Sequence, residues 1–115
     1  MQANAIKVRY EELRSIGFAS LSGAYVGVGP AFQNPLRLLK VNNVSDANLI
    51  ISFDGITDMD FIAAQSAYVF DFSSNASESG GVFEQPAGQR FYVREESAAA
   101  TEGSVYVTVI YAATS

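Results

Sequence analysis

Asp54, Asp58 and Asp60 fall within one seven-residue run, DGITDMD, the densest set of potential oxygen ligands in the chain. Clustered carboxylates suit a hard cation such as calcium. Their spacing, D-x-x-x-D-x-D, matches no calcium-loop signature and lacks the bidentate acid that closes an EF-hand. The expected reading is therefore a solvated hairpin turn whose acids discourage edge-to-edge sheet pairing, with no metal and no cofactor. Carboxylate pairs are the other chemistry on offer, because Asp58 with Asp60, or Glu95 with Glu96, could flank a glycosidic bond. Adjacent residues in a strand point to opposite faces, so Glu95 and Glu96 diverge. Asp58 and Asp60 can share a face, but nothing apolar surrounds that tip to raise one pKa. Histidine and cysteine are both absent, which removes the commonest general base, thiolate nucleophiles and disulfides together. The chain is expected not to be an enzyme.

Six tyrosines and eight phenylalanines occur without tryptophan. Most sit at core-facing periods, but Tyr25, Phe32 and Tyr106 lie beside loops or on a more polar face. Such rings either stack on sugars or mark contacts between subunits.

The elements that must position these residues are strands. Leu49, Ile51 and Phe53 alternate with polar or second-face residues, as do Tyr68, Phe70 and Phe72, and each set is expected to form one buried sheet face. Asp54-Gly55 marks the turn after the first, and Ala63-Ala64-Gln65 a second change of direction. Around this central stretch, Ile6, Val8 and Tyr10 give a short strand, and Glu11 to Ile16, which could form a helical turn but is too short for a stable helix, reads as a corner or as an arm that docks on a neighbour. Phe18 to Val28 reads as two β-like pieces around Ser22-Gly23, and Leu36 to Val41 as a strand buried on both faces at its centre. Phe91 to Arg94 and Ser104 to Ala112 follow, the latter with Val105, Val107, Val109 and Tyr111 in strict alternation. The run 73–81, SSNASESGG, has no apolar period and reads as a loop tip. Short strands at this spacing predict an all-β fold, an antiparallel β-sandwich or jelly-roll-like barrel with little or no helix. At 115 residues the chain accommodates one such domain, over 6–115, behind a flexible N-terminal arm, 1–5.

The net charge is −5, and its distribution is uneven. Residues 1–40 carry Lys7, Arg9, Arg14, Arg37 and Lys40 against two acids, a balance of +3, whereas residues 41–115 carry ten acids against Arg90 and Arg94, a balance of −8. An acidic chain without clustered basic residues is a poor nucleic-acid ligand. No apolar run reaches the roughly 18–20 residues that span a bilayer, and no membrane partner is expected. The charge split reads either as a solvated surface with chance clustering or as complementarity between copies, with Lys7, Arg9, Arg14 and Arg37 on a basic side and Asp54, Asp58 and Asp60 on an acidic one.

The order of features resembles that of a family of small bacteriophage virion proteins encoded among head and tail genes. The matching stretches are the opening IKVRYEELRSIGFASLSGAYVGVG, the strand LRLLKVNN, the hairpin SFDGITDMDFIAA, AYVFDFSSN, and the closing AGQRFYV and GSVYVTVIYA. The resemblance implies a structural component present in many symmetric copies, in the head-to-tail connector or neck, or on the capsid surface as a decoration protein. Its implied partners are other copies of itself and other virion proteins: capsid, portal, connector or tail. The alternative is a carbohydrate-binding, receptor-binding module of a phage tail fibre.

Overall fold

The computed structural model describes residues 6–34, 36–71 and 89–114. The N-terminal arm, Phe72 and the loop 73–81 lie outside the described residues. The described chain forms nine strands: β1 (Ile6–Tyr10), β2 (Arg14–Gly17), β3 (Val26–Gly27), β4 (Leu38–Asn43), β5 (Leu49–Ser52), β6 (Asp60–Ile62), β7 (Ser66–Asp71), β8 (Tyr92–Glu95) and β9 (Ser104–Thr114). Sheet A runs β1-β9-β4-β7, with β2 also paired to β9, and sheet B runs β3-β8-β5-β6. All pairings are antiparallel. The two sheets pack face to face as an all-β sandwich around one apolar cluster.

The alternation read in β9 is the axis of that packing. Val105, Val107 and Val109 are fully buried, as are Leu39 and Val41 of β4 and Leu49 and Ile51 of β5. Each set occupies every second position, so one register on each sheet supplies the core. Phe53 joins it through edge-on contact with Phe91, centroids 5.7 Å apart.

Four expectations change. β4 is buried on one face only: Leu39 and Val41 point inward while Lys40 is exposed. It is hydrogen-bonded on both edges, to β7 and β9, but an antiparallel sheet needs only one covered face. Glu11 to Ile16 forms no helical turn; the ladder to β9 resumes at Arg14. Phe18–Ser20 is a single 3₁₀ turn, and only Val26–Gly27 of the following stretch pairs as a strand. In β7, Phe70 packs against the core but Tyr68 is 36 % exposed. β7 is the last strand of sheet A, and β6, the last strand of sheet B, has only three residues, too few to cover that ring.

The β4–β5 turn is closed by a buried polar knot. Asn43 Nδ2 donates to the carbonyls of Ala47 (2.9 Å) and Ala63 (3.1 Å), and its Oδ1 accepts from the Ser45 backbone N–H (3.1 Å) and Oγ (2.6 Å). Asn43 and Ser45 are fully buried, so every one of these groups depends on the others for a partner. Gln65, with φ of 59°, turns into β7 and donates through Nε2 to the carbonyls of Val44 and Ser45. Against the same turn, Gly103 (φ 89°) lies so close that a Cβ would stand 2.3 Å from the Val44 carbonyl oxygen. Replacing Asn43 by Ala strands two carbonyls and the Ser45 donors, and is expected to cost about 2–3 kcal/mol, read as a lowered urea midpoint at unchanged m-value.

Candidate functional site

Strands β1 and β2 carry three of the seven basic residues, Lys7, Arg9 and Arg14. Tyr10 pairs with Ile110 and Arg14 with Val107, so residues 11–13 span only two positions of β9, 108 and 109. That one extra residue is a β-bulge. In an uninterrupted strand Glu11 and Arg14, three apart, would face opposite ways; the bulge flips the register and turns both toward the interior. There Arg14 Nη2 donates to Glu11 Oε1 at 2.8 Å. The other carboxylate oxygen, Oε2, accepts from the backbone N–H groups of Gln33 (3.1 Å) and Asn34 (3.0 Å) and from Asn34 Nδ2 (2.9 Å). The Arg14 guanidinium lies over the Phe32 ring, 4.9 Å from its centroid. Gly29, at φ 74°, makes room for it, since a Cβ there would stand 2.5 Å from the arginine side chain.

Arg14 is 5 % and Phe32 2 % exposed. Neither is available to a neighbouring subunit, which corrects both as contact candidates. A cleft of about 560 Å³ opens beside this plug, bounded by Tyr10, Glu12, Leu13, Gln33 and Tyr111. Arg14 Nε and Nη1 are buried without hydrogen-bond partners among the described residues, and the exposed charge at the cleft is the Glu12 carboxylate.

The other basic candidates separate from Arg14. Arg9 pairs across from Tyr111 and is exposed. The Arg37 backbone N–H donates to Ile110 at 2.9 Å, one step beyond the β4–β9 ladder, which sets Arg9 and Arg37 on either side of Tyr111. Lys7 lies on β1 opposite Ala113.

The three aspartates do come together on the β5–β6 hairpin, with different tasks. Asp54 builds the turn: its oxygens accept from Ser52 Oγ (2.7 Å), the N–H groups of Ile56 and Thr57 (2.8 Å each) and Thr57 Oγ1 (2.9 Å). Those donors hold its carboxyl far below the usual carboxylate range. Asp58 reaches across sheet B, accepting from Arg94 Nη2 at 2.9 Å and Tyr25 Oη at 2.5 Å. Arg94 first, and then Tyr25, lower its pKa, while burial and then Asp58 raise that of the Tyr25 hydroxyl. The Arg94 guanidinium also lies 5.6 Å from the Tyr25 ring centroid. Asp60 accepts from the Phe61 N–H at 2.8 Å. Asp46 stands at the other end of β5, accepting from Thr101 and Glu102. Among the described residues no three of Asp and Glu converge as a metal-holding group. Glu95, buried, accepts from the Ala100 N–H at 2.8 Å, whereas Glu96 is exposed, and the two diverge as their adjacency requires.

Tyr25, Phe32 and Tyr106 occupy three different places: the hairpin clip, the core and the outer face of sheet A. They form no common platform. What sequence reasoning missed is that outer face. Cross-strand partners share a face, which aligns Asn42 with Tyr106 and Ser15, Val69 with Lys40 and Thr108, and Leu38 with Ile110 and Tyr10. Tyr10 is 67 % and Val69 62 % exposed, and Tyr106 is also uncovered. The same alternation that named the core residues of β4, β7 and β9 names this face by complement, and its apolar content was the available signal.

No protein-family model, curated protein or solved structure matches the chain.

Replacing Arg14 by Ala leaves Glu11 buried beside an empty space and is expected to cost about 3–5 kcal/mol, read by chemical denaturation. Burial pushes the Glu11 carboxyl up, but hydrogen bonds from Asn34 and Arg14, the arginine charge and the Gln33 N–H outweigh it and leave the pKa lowered from 4.5. A carboxyl lowered by folding contributes stability that is present above its unfolded value and lost as pH falls through the folded one. Stability is therefore expected to drop below pH 4.5, and Glu11→Gln to flatten that limb in part, Asp46, Asp54 and Asp58 keeping the remainder.

Proposed function

We propose that this chain is a structural protein of a bacteriophage virion, a symmetric homo-oligomer at the head-to-tail connector or on the capsid surface that works through contacts between subunits. The observation that carries the reading is the outer face of sheet A. Tyr10, Val69 and Tyr106 are exposed there and Leu38 and Ile110 half-buried, on a face they share with Ser15, Lys40, Asn42, Asp71 and Thr108, and large exposed apolar side chains gathered on one face favour a protein contact. The resemblance of the chain from Ile6 to Ala112 to small virion proteins supports the same reading. The committed carboxylates add to it: Glu11, Asp46, Asp54, Asp58 and Glu95 hold turns, loops and ion pairs in place.

The charge split then orients the contacts. Arg9 is exposed on sheet A and Asp60 on the hairpin of sheet B, so a head-to-tail neighbour brings opposite charges together. Arg14 and Asp58 take no part, being neutralised within the chain by Glu11 and Arg94. Exposed pairs of this kind act over about 8–10 Å near physiological ionic strength, and assembly is expected to weaken as salt rises.

The chain is expected to copurify with intact particles and to fill density at the neck or shell in an electron-microscopy map. Arg9→Glu, on an exposed side chain, is expected to weaken assembly on the order of tenfold while leaving the melting temperature in place, measured by sedimentation across a salt series. Absence from particles combined with saturable binding to a glycan array would replace this reading with the sugar-binding one.

A further inference from the structure

We infer that β7 is an assembly edge at which two copies of the chain pair antiparallel across a two-fold axis, joining their larger sheets into one. The inference deepens the proposed subunit role and rests on it.

The case comes from comparing the terminal strands. A sheet edge offers a row of unpaired N–H and C=O groups, and proteins guard such rows by shortness, charge, proline or a bulge. β3 has two residues and β6 three, the latter opening with Asp60. The β1–β2 edge is broken by the bulge at 11–13 and carries Arg9 and Glu12. β7 has none of these protections. It is six residues long, SAYVFD, with no proline or lysine, no break in its ladder to β4 and one charge at its far end. Among the described residues it has no hydrogen-bonded strand on its outer side. Its two central residues, Tyr68 and Val69, are exposed apolar side chains.

A second copy of the same strand is the occupant these features fit. In a continuous sheet, opposed residues share a face, so a two-fold axis must pass through a residue and its own copy. Centring it on Val69 opposes Tyr68 with Phe70 and Ala67 with Asp71. The more exposed of the strand's two exposed large apolar side chains then lies at the middle of the contact. The two Asp71 carboxylates fall at opposite ends, about 14 Å apart at 3.4 Å per residue, beyond the screening length. Centring the axis on Tyr68 gives a ladder of equal length but puts the less exposed side chain at the middle and opposes Val69 with Ala67; the remaining registers either oppose inward-facing with outward-facing residues or shorten the ladder.

The cysteine-free background makes the register directly measurable. Residues opposed in an antiparallel ladder have Cα atoms about 4.5–5.5 Å apart, inside the range a disulfide spans. Two copies of residue 67 would stand about 14 Å apart, outside it. Val69→Cys and Ala67→Cys are prepared singly, oxidised under matched conditions and compared with Val69→Lys and the wild-type chain by light scattering. The expected result is a dimeric wild-type chain, linkage of Val69→Cys about tenfold or more faster than of Ala67→Cys, and a folded monomer for Val69→Lys. A monomeric wild-type chain, equal linkage at both positions, or a dimer untouched by Val69→Lys overturns the inference. The Val69→Lys monomer is checked by its unchanged circular dichroism, so that loss of pairing is not confused with loss of fold. Linkage at 69 in a chain absent from particles would leave the pairing standing and defeat the virion reading. Incorporation into particles without that linkage would do the reverse.

Discussion

The buried pair of Glu11 and Arg14 is the constraint on which the rest of the sandwich turns. Taking two charges out of water is expensive, and a single ion contact does not repay it. Glu11 meets the cost by saturation, its two oxygens accepting four hydrogen bonds. Arg14 meets it less completely: two of its nitrogens have no hydrogen-bond partner among the described residues, and the face of Phe32 lies against the guanidinium instead. Losing either partner would leave the other ionised in the interior, so the pair holds the chain to the one bulged register that supplies both. Its reach is wider than the strand it sits on. Through Gln33 and Asn34 it ties down the loop after Gly29, and through Phe32, which packs near Phe53 with centroids 6.4 Å apart, it touches the side chains that close sheet B.

Much of this architecture was legible in the order of residues. A period of two in β9 and β5 named the buried valines, leucine and isoleucine, because a half-covered sheet leaves no other solution. The Asp54-Gly55 turn and the change of direction at Gln65 were legible as well, since few residues accept their backbone angles. What escaped is what depends on a shift of one position. A strict alternation puts Glu11 and Arg14 on opposite faces, and the bulge that reunites them is fixed by pairing with β9, about a hundred residues away. The same holds for Asp58 and Arg94, 36 residues apart. A run of apolar residues in Leu36 to Val41 looked doubly buried because sequence does not distinguish a covered face from one that awaits a neighbour.

That last ambiguity is a physical property of the molecule. Leu38, Val69, Ile110 and Tyr10 have the composition of a core layer and the exposure of a surface. A face of that kind is stable only in part while it is wet, because water gains by its removal. The hairpin of sheet B is built on the opposite logic. Its charges are partnered across strands by Arg94 and Tyr25, and its turn is drawn tight by the oxygens of Asp54. The same hairpin leaves Ile56, Met59 and Phe61 exposed, so apolar side chains reach the surface on both sheets, beside partnered charges on sheet B.

The central position of β9 has a further result for how the protein comes into being. β9 alone contacts β1, β2 and β4, yet its residues are 104–114. Until that segment is made, β1 and β2 have no partner in sheet A and β4 has only β7. Long-range pairings of this kind form slowly, and waiting strands are prone to associate wrongly. Formation of the larger sheet therefore waits on residues 104–114, and the strands made before them need shelter until those residues arrive.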